Sequence, residues 1–274
     1  MERAFILYTS GDANRNGVLI DKYKNACASY GIEARLVLTD KADAFAVVTA
    51  ERPAFVINRT RDAELADLLR GEGVFVTNPP ELTRTANDKL LTYRLLNRRV
   101  PMMLTVPAEA YAAGEAPCME YPFVIKPRGG HGGGGVELIS SAADFKKYRE
   151  ANDISGCIVQ KVASEVGRDM RVYVVGGRPV ACMLRVSKDD FRSNYCLGGS
   201  ARIVPVSALA EDELAIIEGV CSALPLHYAG VDIMRDRGRA VLNELEDPVG
   251  ARMLYTYTDV DPAELHTEFV LRNY

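Results

Sequence analysis

The sequence has no tryptophan, only three histidines and no long apolar run. None of the histidines, His131, His227 and His266, stands at metal-ligand spacing from another histidine or a cysteine, which argues against a zinc site. No stretch approaches the ~20 apolar residues that a membrane-spanning helix needs, and the first residues lack the apolar segment of a signal peptide. We therefore expect a cytoplasmic protein that does not contact a membrane.

Cysteine pairs and basic runs are also missing. None of the six cysteines belongs to a C-x-x-C pair, so we expect reduced thiols in a cytosolic protein. The formal net charge is −4, and the lysines and arginines are dispersed among acidic residues instead of forming a stripe. The composition therefore does not favour a nucleic-acid partner.

The 274 residues are enough for about two domains with a cleft between them. In the first third, short apolar runs such as Ala4–Tyr8 alternate with helical patterns, which predicts an α/β fold with a parallel sheet. We expect a loop at Thr9–Gly17, and one helix at Thr85–Arg98 after the boundary marked by Asn-Pro-Pro at 78–80. From Arg168 the pattern changes to long β-hairpins.

Residues 129–135, the glycine loop, contain six glycines in seven positions. Glycine has no Cβ, so the backbone N–H groups of such a loop can wrap around phosphate oxygens. Lys126, at the end of the preceding predicted strand, can add a positive charge to the same phosphates. A loop of this kind can also close over a ligand. The segment predicts a phosphate-binding loop.

The glycine loop has two alternative interpretations. Gly130, Gly132 and Gly135 match the dinucleotide motif G-x-G-x-x-G, but that motif opens a helix, whereas Val136–Ile139 has the pattern of a strand. A hairpin loop without any ligand remains an alternative, although so much glycine is entropically unfavourable and usually serves backbone contact.

Residues 230–247, the acidic hairpin, form a second candidate site. We predict a three-residue turn at Asp236–Gly238, which places Asp232 opposite Leu242. Strand alternation then puts Leu242, Glu244 and Glu246 on one face and Asn243 on the other, and Asp232, opposite Leu242, shares the face of the two glutamates. A turn one residue longer or shorter would break this arrangement.

Three carboxylates on one face repel one another unless a cation is present, and their oxygens suit Mg²⁺ or Mn²⁺. The alternative is a solvated acidic face at a sheet edge. That alternative explains Asp232 poorly, because a carboxylate between Val231 and Ile233 in an apolar strand needs a partner.

Several motifs in a fixed order resemble the ATP-grasp enzymes, most closely the RimK-like branch of ATP-dependent carboxylate–amine ligases. The resemblance covers nearly the whole chain from Val56-Ile57-Asn58-Arg59 onward. Its most specific segments are Asn87-Asp88-Lys89-Leu90, Val124-Ile125-Lys126-Pro127, Gly167-Arg168-Asp169-Met170-Arg171, Asp190-Phe191-Arg192-Ser193-Asn194 with Gly198-Gly199-Ser200, and Ala229-Gly230-Val231-Asp232-Ile233.

The resemblance implies an ATP-grasp fold with three parts. Residues 1–84 would form a Rossmann-like pre-ATP-grasp domain, residues 85–159 a central lobe that carries the glycine loop, and residues 160–274 a C-terminal lobe with the metal site. ATP would lie between the last two.

The resemblance also implies residue roles. The implied nucleotide contacts are Lys89, Lys126, Gly130, Gly132, Gly133, Gln160, Lys161, Val162, Asp169, Ser193 and Asn194. The two lysines and the glycine loop would contact the phosphates, residues 160–162 the adenine, and Asp169 the nucleotide or ribose. Arg171 and Arg192 would act catalytically at the reacting phosphate, and Asp232, Glu244 and Glu246 would hold one or two Mg²⁺.

The implied activity is a ligase that uses ATP and Mg²⁺ (or Mn²⁺) to activate a small-molecule or peptide carboxylate as its acyl phosphate and join it to an amine. Arg192 would stabilise the tetrahedral oxyanion. A kinase on the same fold and a nucleotide-binding subunit without catalysis are the alternatives, and a homo-oligomer is left open.

Three departures from the family's pattern leave adenine recognition, the metal preference or stoichiometry, and the substrates undefined, in that order. Lys161 replaces the usual Glu at the adenine hinge, Glu246 replaces the usual Asn among the metal ligands, and the segment Asp247–Tyr255 replaces the usual small-residue loop near the acceptor.

Overall fold

The structure is a computed structural model that describes residues 2–130, 134–187 and 200–274. These residues form three sheets, two of four strands and one of five. Helices cover the sheets, and none of the helices in the described ranges is long and apolar enough to cross a membrane.

The first sheet is parallel, as the sequence predicts, with the strand order β2-β1-β3-β4. Its strands are β1 (Glu2–Tyr8), β2 (Ile32–Leu38), β3 (Phe55–Asn58) and β4 (Phe75–Thr77). Its helices are α1 (Ser10–Arg15), α2 (Gly17–Ser29), α3 (Ala44–Glu51) and α4 (Ala63–Gly71). The loop predicted at Thr9–Gly17 is wrong: α1 forms there because the Thr9 side chain accepts from Asp12 N and caps the helix.

The single helix predicted at Thr85–Arg98 is also wrong, because the structure has α5 (Pro80–Ala86) and α6 (Lys89–Leu96) instead. Asp88 separates the two helices: its Oδ1 accepts from the backbone N–H groups of Leu90 and Leu91 at 2.9 and 3.1 Å. An N-cap of this kind begins a new helix, and it places Lys89 in the first turn of α6.

The second sheet is antiparallel, in the order β5-β8-β6-β7. Its strands are β5 (Thr105–Pro107), β6 (Phe123–Pro127), β7 (Glu137–Ile139) and β8 (Cys157–Lys161). Helices α7 (Ala108–Ala112) and α8 (Ala142–Ala151) cover one face through a core that includes Phe123, Phe145 and Val159. Strands β6 and β7 hold the two ends of the glycine loop.

The third sheet is antiparallel, in the order β11-β10-β9-β12-β13. Its strands are β9 (Arg168–Val175), β10 (Arg178–Val186), β11 (Ser200–Val204), β12 (Tyr228–Asp236) and β13 (Arg239–Glu246). One face packs on α9 (Glu211–Cys221) through Val172, Val231 and Ile217. The other face carries the polar residues of the candidate site.

The chain then returns to the first sheet through α10 (Arg252–Tyr257) and α11 (Pro262–Leu271). Ala263 and Val270 of α11 join the core between the first sheet and α2. Residues after 160 therefore contact both the first and the third sheets. The lobe boundaries at 84 and 159 fall inside α5 and β8, and the division into three lobes stays a prediction.

Candidate functional site

A bulge in β13 sets the face of the acidic hairpin. The turn has two residues, Arg237 and Gly238, both with positive φ, so the predicted three-residue turn is wrong. Ile233 therefore pairs with Leu242, and the prediction that Asp232 lies opposite Leu242 is also wrong.

The register then shifts by one residue, so that Asp232 pairs with Glu244 and Gly230 with Glu246. Asn243 is the extra residue of the bulge. Leu242 packs in the core with Ile233, whereas Glu244 and Glu246 turn to the same face as Asp232. Asp232, Glu244 and Glu246 therefore share one face as predicted, although the cause is the bulge and not the turn. The predicted place of Leu242 on that face is wrong, because the bulge separates it from the two glutamates.

Two arginines of the third sheet balance these acids. Arg171 Nε and Nη2 donate to the two oxygens of Asp232 at 2.8 and 2.7 Å, and Nη2 also donates to Glu246 Oε2 at 2.5 Å. Arg185 Nη2 donates to Asp232 Oδ2 at 2.7 Å, and its Nε donates to Asp169 Oδ1, also at 2.7 Å. Both oxygens of Asp232 thus accept from guanidinium groups.

Burial and charge act in opposite directions on these carboxyls. Burial raises the pKa of Asp232, but the positive charges of Arg171 and Arg185 outweigh it and lower this pKa to about 2. For Asp169 and Glu246, burial outweighs the neighbouring arginines, so their pKa values are raised. Asp232 is therefore the acid whose charged form the protein holds most firmly.

Lys89 joins the acidic hairpin to the glycine loop. Its Nζ lies 3.0 Å from Glu244 Oε1 and donates a hydrogen bond to the carbonyl oxygen of Gly130. Lys126 is 8% exposed, and the charges of Glu244 and Lys89 both act on it. Burial, together with Lys89 and against the attraction of Glu244, lowers the pKa of Lys126 to about 8.

Asp88 and Arg128 fix the start of the glycine loop, although neither residue was assigned a role from the sequence. Arg128 Nε donates to Asp88 Oδ1 at 3.2 Å, and Lys89 N donates to the carbonyl oxygen of Arg128 at 3.0 Å. Asp88 therefore caps α6 and holds the loop against it. The signal was available in the sequence, since an aspartate directly before a helical pattern is a typical N-cap.

Arg185 was missed as well. It pairs with Asp169 across β9 and β10, and it shares a face with Met183 and Ala181 on β10. Strand alternation could have placed it beside Asp169 only if the register of the two strands had been known. The Asp169 carboxylate is 3% exposed and paired with Arg185, and its role at the nucleotide stays a prediction.

The residues predicted to contact adenine lie where the second sheet leads into the third. Gln160 and Lys161 end β8, and Val162 follows it. Gln160 Nε2 donates to Thr105 Oγ1 at 2.9 Å, and Lys161 N donates to Leu104 O at 2.9 Å. The Gln160 side chain and the Lys161 backbone N–H thus have partners inside the protein.

The remaining predicted site residues lie outside the described residues. They are Gly132, Gly133, Arg192, Ser193 and Asn194. Within residues 2–130, 134–187 and 200–274, no group of three or more His, Cys, Asp or Glu side chains is arranged to hold a metal ion by itself. Asp232 and Glu246 instead form ion pairs with Arg171.

The chain is similar to known ATP-grasp proteins over most of its length. The RimK-like ATP-grasp domain matches residues 86–268. Uncharacterized protein MG011 homolog of Mycoplasma pneumoniae is 27% identical over 256 residues, 92% of this chain and 86% of that protein. A "Probable alpha-L-glutamate ligase" of Alcanivorax borkumensis is 30% identical over 207 residues, 72% of this chain and 67% of that protein.

The fold agrees with these matches. The crystal structure of a RimK domain ATP-grasp protein from Sphaerobacter thermophilus superimposes with a TM-score of 0.72 and 22% sequence identity, covering 98% of this chain and 99% of that one. Since the domain match alone spans more than half of the residues, this chain belongs to the RimK-like ATP-grasp family.

Proposed function

We propose that this protein is an ATP- and Mg²⁺-dependent ligase that activates a carboxylate as its acyl phosphate and joins it to an amine. The observation that carries the proposal is the contact of Lys89 with both Glu244 of the acidic hairpin and Gly130 of the glycine loop. One ammonium group thereby links the loop proposed to bind phosphates and the acids proposed to hold the metal. Relatives named alpha-L-glutamate ligase support the same reaction class.

The residues have separate proposed tasks. Lys89 and Lys126 bind the phosphates, with Lys126 regaining its full charge beside a polyanion. Arg171 neutralises charge on the γ-phosphate while a carboxylate oxygen attacks the phosphorus and ADP leaves. An amine then attacks the acyl carbon, phosphate leaves, and Arg192 stabilises the intermediate oxyanion.

The acidic hairpin fits Mg²⁺ by its donor chemistry, since Asp232, Glu244 and Glu246 offer carboxylate oxygens on one face. Glu244 and Glu246 keep partly exposed side chains, whereas both oxygens of Asp232 already accept from arginines. Bound there, Mg²⁺ would draw negative charge away from the triphosphate. Because arginines and Lys89 now balance these acids, we expect Mg²⁺ to bind tightly only together with a nucleotide.

The test is ADP release by the purified protein with pairs drawn from a panel of amino acids and dipeptides. We expect release of ADP and phosphate that requires both a carboxylate and an amine, and conversion of the acyl phosphate to a hydroxamate by hydroxylamine. A stable phosphorylated product would identify a kinase instead. Binding of ATP without turnover on any pair would identify a binding subunit, and either result would overturn the proposal.

A further inference from the structure

Arg59 is a buried arginine without an acidic partner in the described parts of the chain. It is 2% exposed, and its Nη2 donates to the carbonyl oxygen of Val249 at 2.5 Å. Its Nε lies 3.4 Å from the hydroxyl oxygen of Tyr8, and its Nη1 has no hydrogen-bond partner among the described residues. A guanidinium group taken out of water without an anion is unfavourable by several kcal/mol.

Four tyrosines surround this charge and form, with Arg59, the Arg59 cluster. Its members are Arg59, Tyr8, Tyr23, Tyr228 and Tyr255. The guanidinium carbon lies 4.9 Å from the ring centroid of Tyr228. The hydroxyl groups of Tyr228 and Tyr255 are buried and have no hydrogen-bond partner within residues 2–130, 134–187 and 200–274.

Charges around the cluster do not neutralise Arg59. Burial raises the pKa values of Tyr23, Tyr228 and Tyr255, so these hydroxyls keep their protons and can act as donors. The charge of Arg59 acts on the carboxyl of Asp247, but the two side chains form no ion pair in the part of the chain that the structure describes. The Asp247 oxygens accept instead from Asn78 at 2.6 Å and Thr83 at 2.7 Å.

The position of the cluster in the first sheet is one that binds ligands in other α/β proteins. The strand order β2-β1-β3-β4 reverses direction between β1 and β3. Tyr8 is the last residue of β1, and Arg59 directly follows β3. Ligands of open α/β sheets bind beyond the carboxyl ends of the strands at such a reversal.

Val249 connects the cluster to the acidic hairpin. Its carbonyl oxygen accepts from Arg59, and its side chain packs against Gly230, where an added Cβ would lie 2.9 Å from Val249 Cγ2. The same Cβ would lie 3.2 Å from Glu246 Cβ and 3.6 Å from Arg171 Nε. A single residue therefore separates the unpaired guanidinium from the acids and arginines of the proposed reaction centre.

We propose that Arg59 binds a carboxylate of an amino-acid or peptide substrate, namely the carboxylate that does not react, and that the hydroxyls of Tyr228 and Tyr255 donate to it. This inference rests on the proposed ligase function only for the distinction between the reacting and the retained carboxylate. It assigns the substrate class: at least one of the two substrates carries a free carboxylate that remains in the product. The Nη1 of Arg59, which is still available as a charged donor, and the two neutral hydroxyl donors match the two oxygens of that group.

The test measures binding separately from turnover. Calorimetry measures the binding of the twenty amino acids and a set of dipeptides to the protein in the presence of ADP and Mg²⁺. Each free acid is compared with its carboxamide. We expect at least one free acid to bind about tenfold or more tightly than its carboxamide. We expect Arg59→Gln to lose this preference. Arg61→Gln is the control. Arg61 lies two residues after Arg59 and forms an exposed ion pair with Asp12, so this variant removes an equal charge and is expected to retain the preference for the free acid.

The tyrosine variants keep the inference testable if Arg59→Gln does not fold. Because the hydroxyl of Tyr255 has no hydrogen-bond partner in the described part of the chain, Tyr255→Phe is expected to leave the ligand-free melting temperature unchanged or higher. It is expected to weaken binding of the free acid several-fold and to leave the affinity for the carboxamide unchanged.

Two outcomes overturn the inference: no free acid binds the wild-type protein more tightly than its carboxamide, or the preference survives in the variants. ADP release together with a surviving preference would retain the ligase and remove the role of Arg59. Binding of the free acid that depends on Arg59, without ADP release, would retain the role of Arg59 and remove the ligase function.

Discussion

Arg171 lies between two carboxylates of the acidic hairpin, with its Nη2 2.7 Å from Asp232 Oδ2 and 2.5 Å from Glu246 Oε2. The side chains of Arg171 and Asp232 are only 10% and 2% exposed. A buried pair of this kind contributes little net stability over an apolar pair, but removing one partner leaves an uncompensated charge. Arg171 therefore keeps the acidic hairpin in one arrangement before any nucleotide or metal binds.

Arg171→Met is expected to lower the free energy of unfolding by about 3–5 kcal/mol, since Asp232 then keeps a single cationic partner. Urea unfolding at pH 7 measures this change. The double variant Arg171→Met/Asp232→Asn is expected to lose clearly less than the sum of the two single variants, because each single variant strands the other's charge. Simple additivity of the two losses would show that the pair is not coupled.

The lowered pKa of Lys126 predicts that ATP binding depends on pH. Its pKa of about 8 means that the ligand-free site loses a positive charge as the pH rises through 8. A triphosphate favours the charged form, so ATP binding above pH 8 is expected to take up a proton and to weaken by up to about tenfold per pH unit. Calorimetry at pH 7 to 9.5 in buffers of different ionisation enthalpy measures both effects.

Lys126→Arg is the control, since an arginine stays charged over this range. Its ATP affinity is expected to be nearly constant between pH 7 and 9.5, and equal pH profiles for the two proteins would contradict the assignment. The pH dependence of the free energy of unfolding provides a second test. The folded-state pKa lies below the ordinary value of 10.5, so the unfolded chain binds more protons between these values. Lys126 thus makes the free energy of unfolding rise with pH from about 8 to 10.5.

Elements whose pattern is local could be predicted from the sequence. Strand β1 covers the apolar run at Ala4–Tyr8, and the parallel first sheet follows from its alternating strands and helices. For the acidic hairpin, the shared face of Asp232, Glu244 and Glu246 could be predicted, but the turn and the strand register that produce it could not. The short turn and the bulge at Asn243 each shift the register by one residue, and nothing in the local pattern indicates either shift.

Contacts between distant residues explain most of what the sequence did not reveal. The partner of Asp169 is Arg185, sixteen residues away, and the link of Arg59 to Val249 spans 190 residues. Such contacts depend on how strands and lobes are assembled, and propensity and spacing carry no information on that assembly. Asp232, flanked by Val231 and Ile233, did indicate that a partner was needed, but not that the partners are two arginines.

Glu244→Gln is expected to leave the fold intact and to reduce ADP release by about 100-fold or more. The variant keeps the size of the side chain but removes the charge that pairs with Lys89 and that we propose to hold Mg²⁺. Turnover at saturating ATP and the melting temperature are the two measurements. Glu218→Gln, on an exposed position of α9, removes the same charge away from the hairpin and is expected to behave as wild type. Full activity of Glu244→Gln would remove the proposed metal site.

Gly230→Ala tests the close packing between the acidic hairpin and the residue that Arg59 contacts. A Cβ at position 230 would lie 2.9 Å from Val249 Cγ2 and 3.2 Å from Glu246 Cβ, so Val249 or Glu246 has to move. Overpacking of this kind is expected to lower the free energy of unfolding by about 1–3 kcal/mol. Because Val249 also accepts from Arg59, the same change is expected to weaken substrate binding more than ATP binding.

Gly17→Ala is the matched control for this variant. A Cβ at Gly17, the first residue of α2, meets no atom within 4 Å, so this substitution is expected to be neutral or stabilising by a few tenths of a kcal/mol. Urea unfolding and separate titrations with ADP and with the free acid compare the two variants. If Gly230→Ala is as stable as wild type and both ligands bind it unchanged, Val249 can shift freely. The cluster around Arg59 would then not be mechanically linked to the acids at the reaction centre.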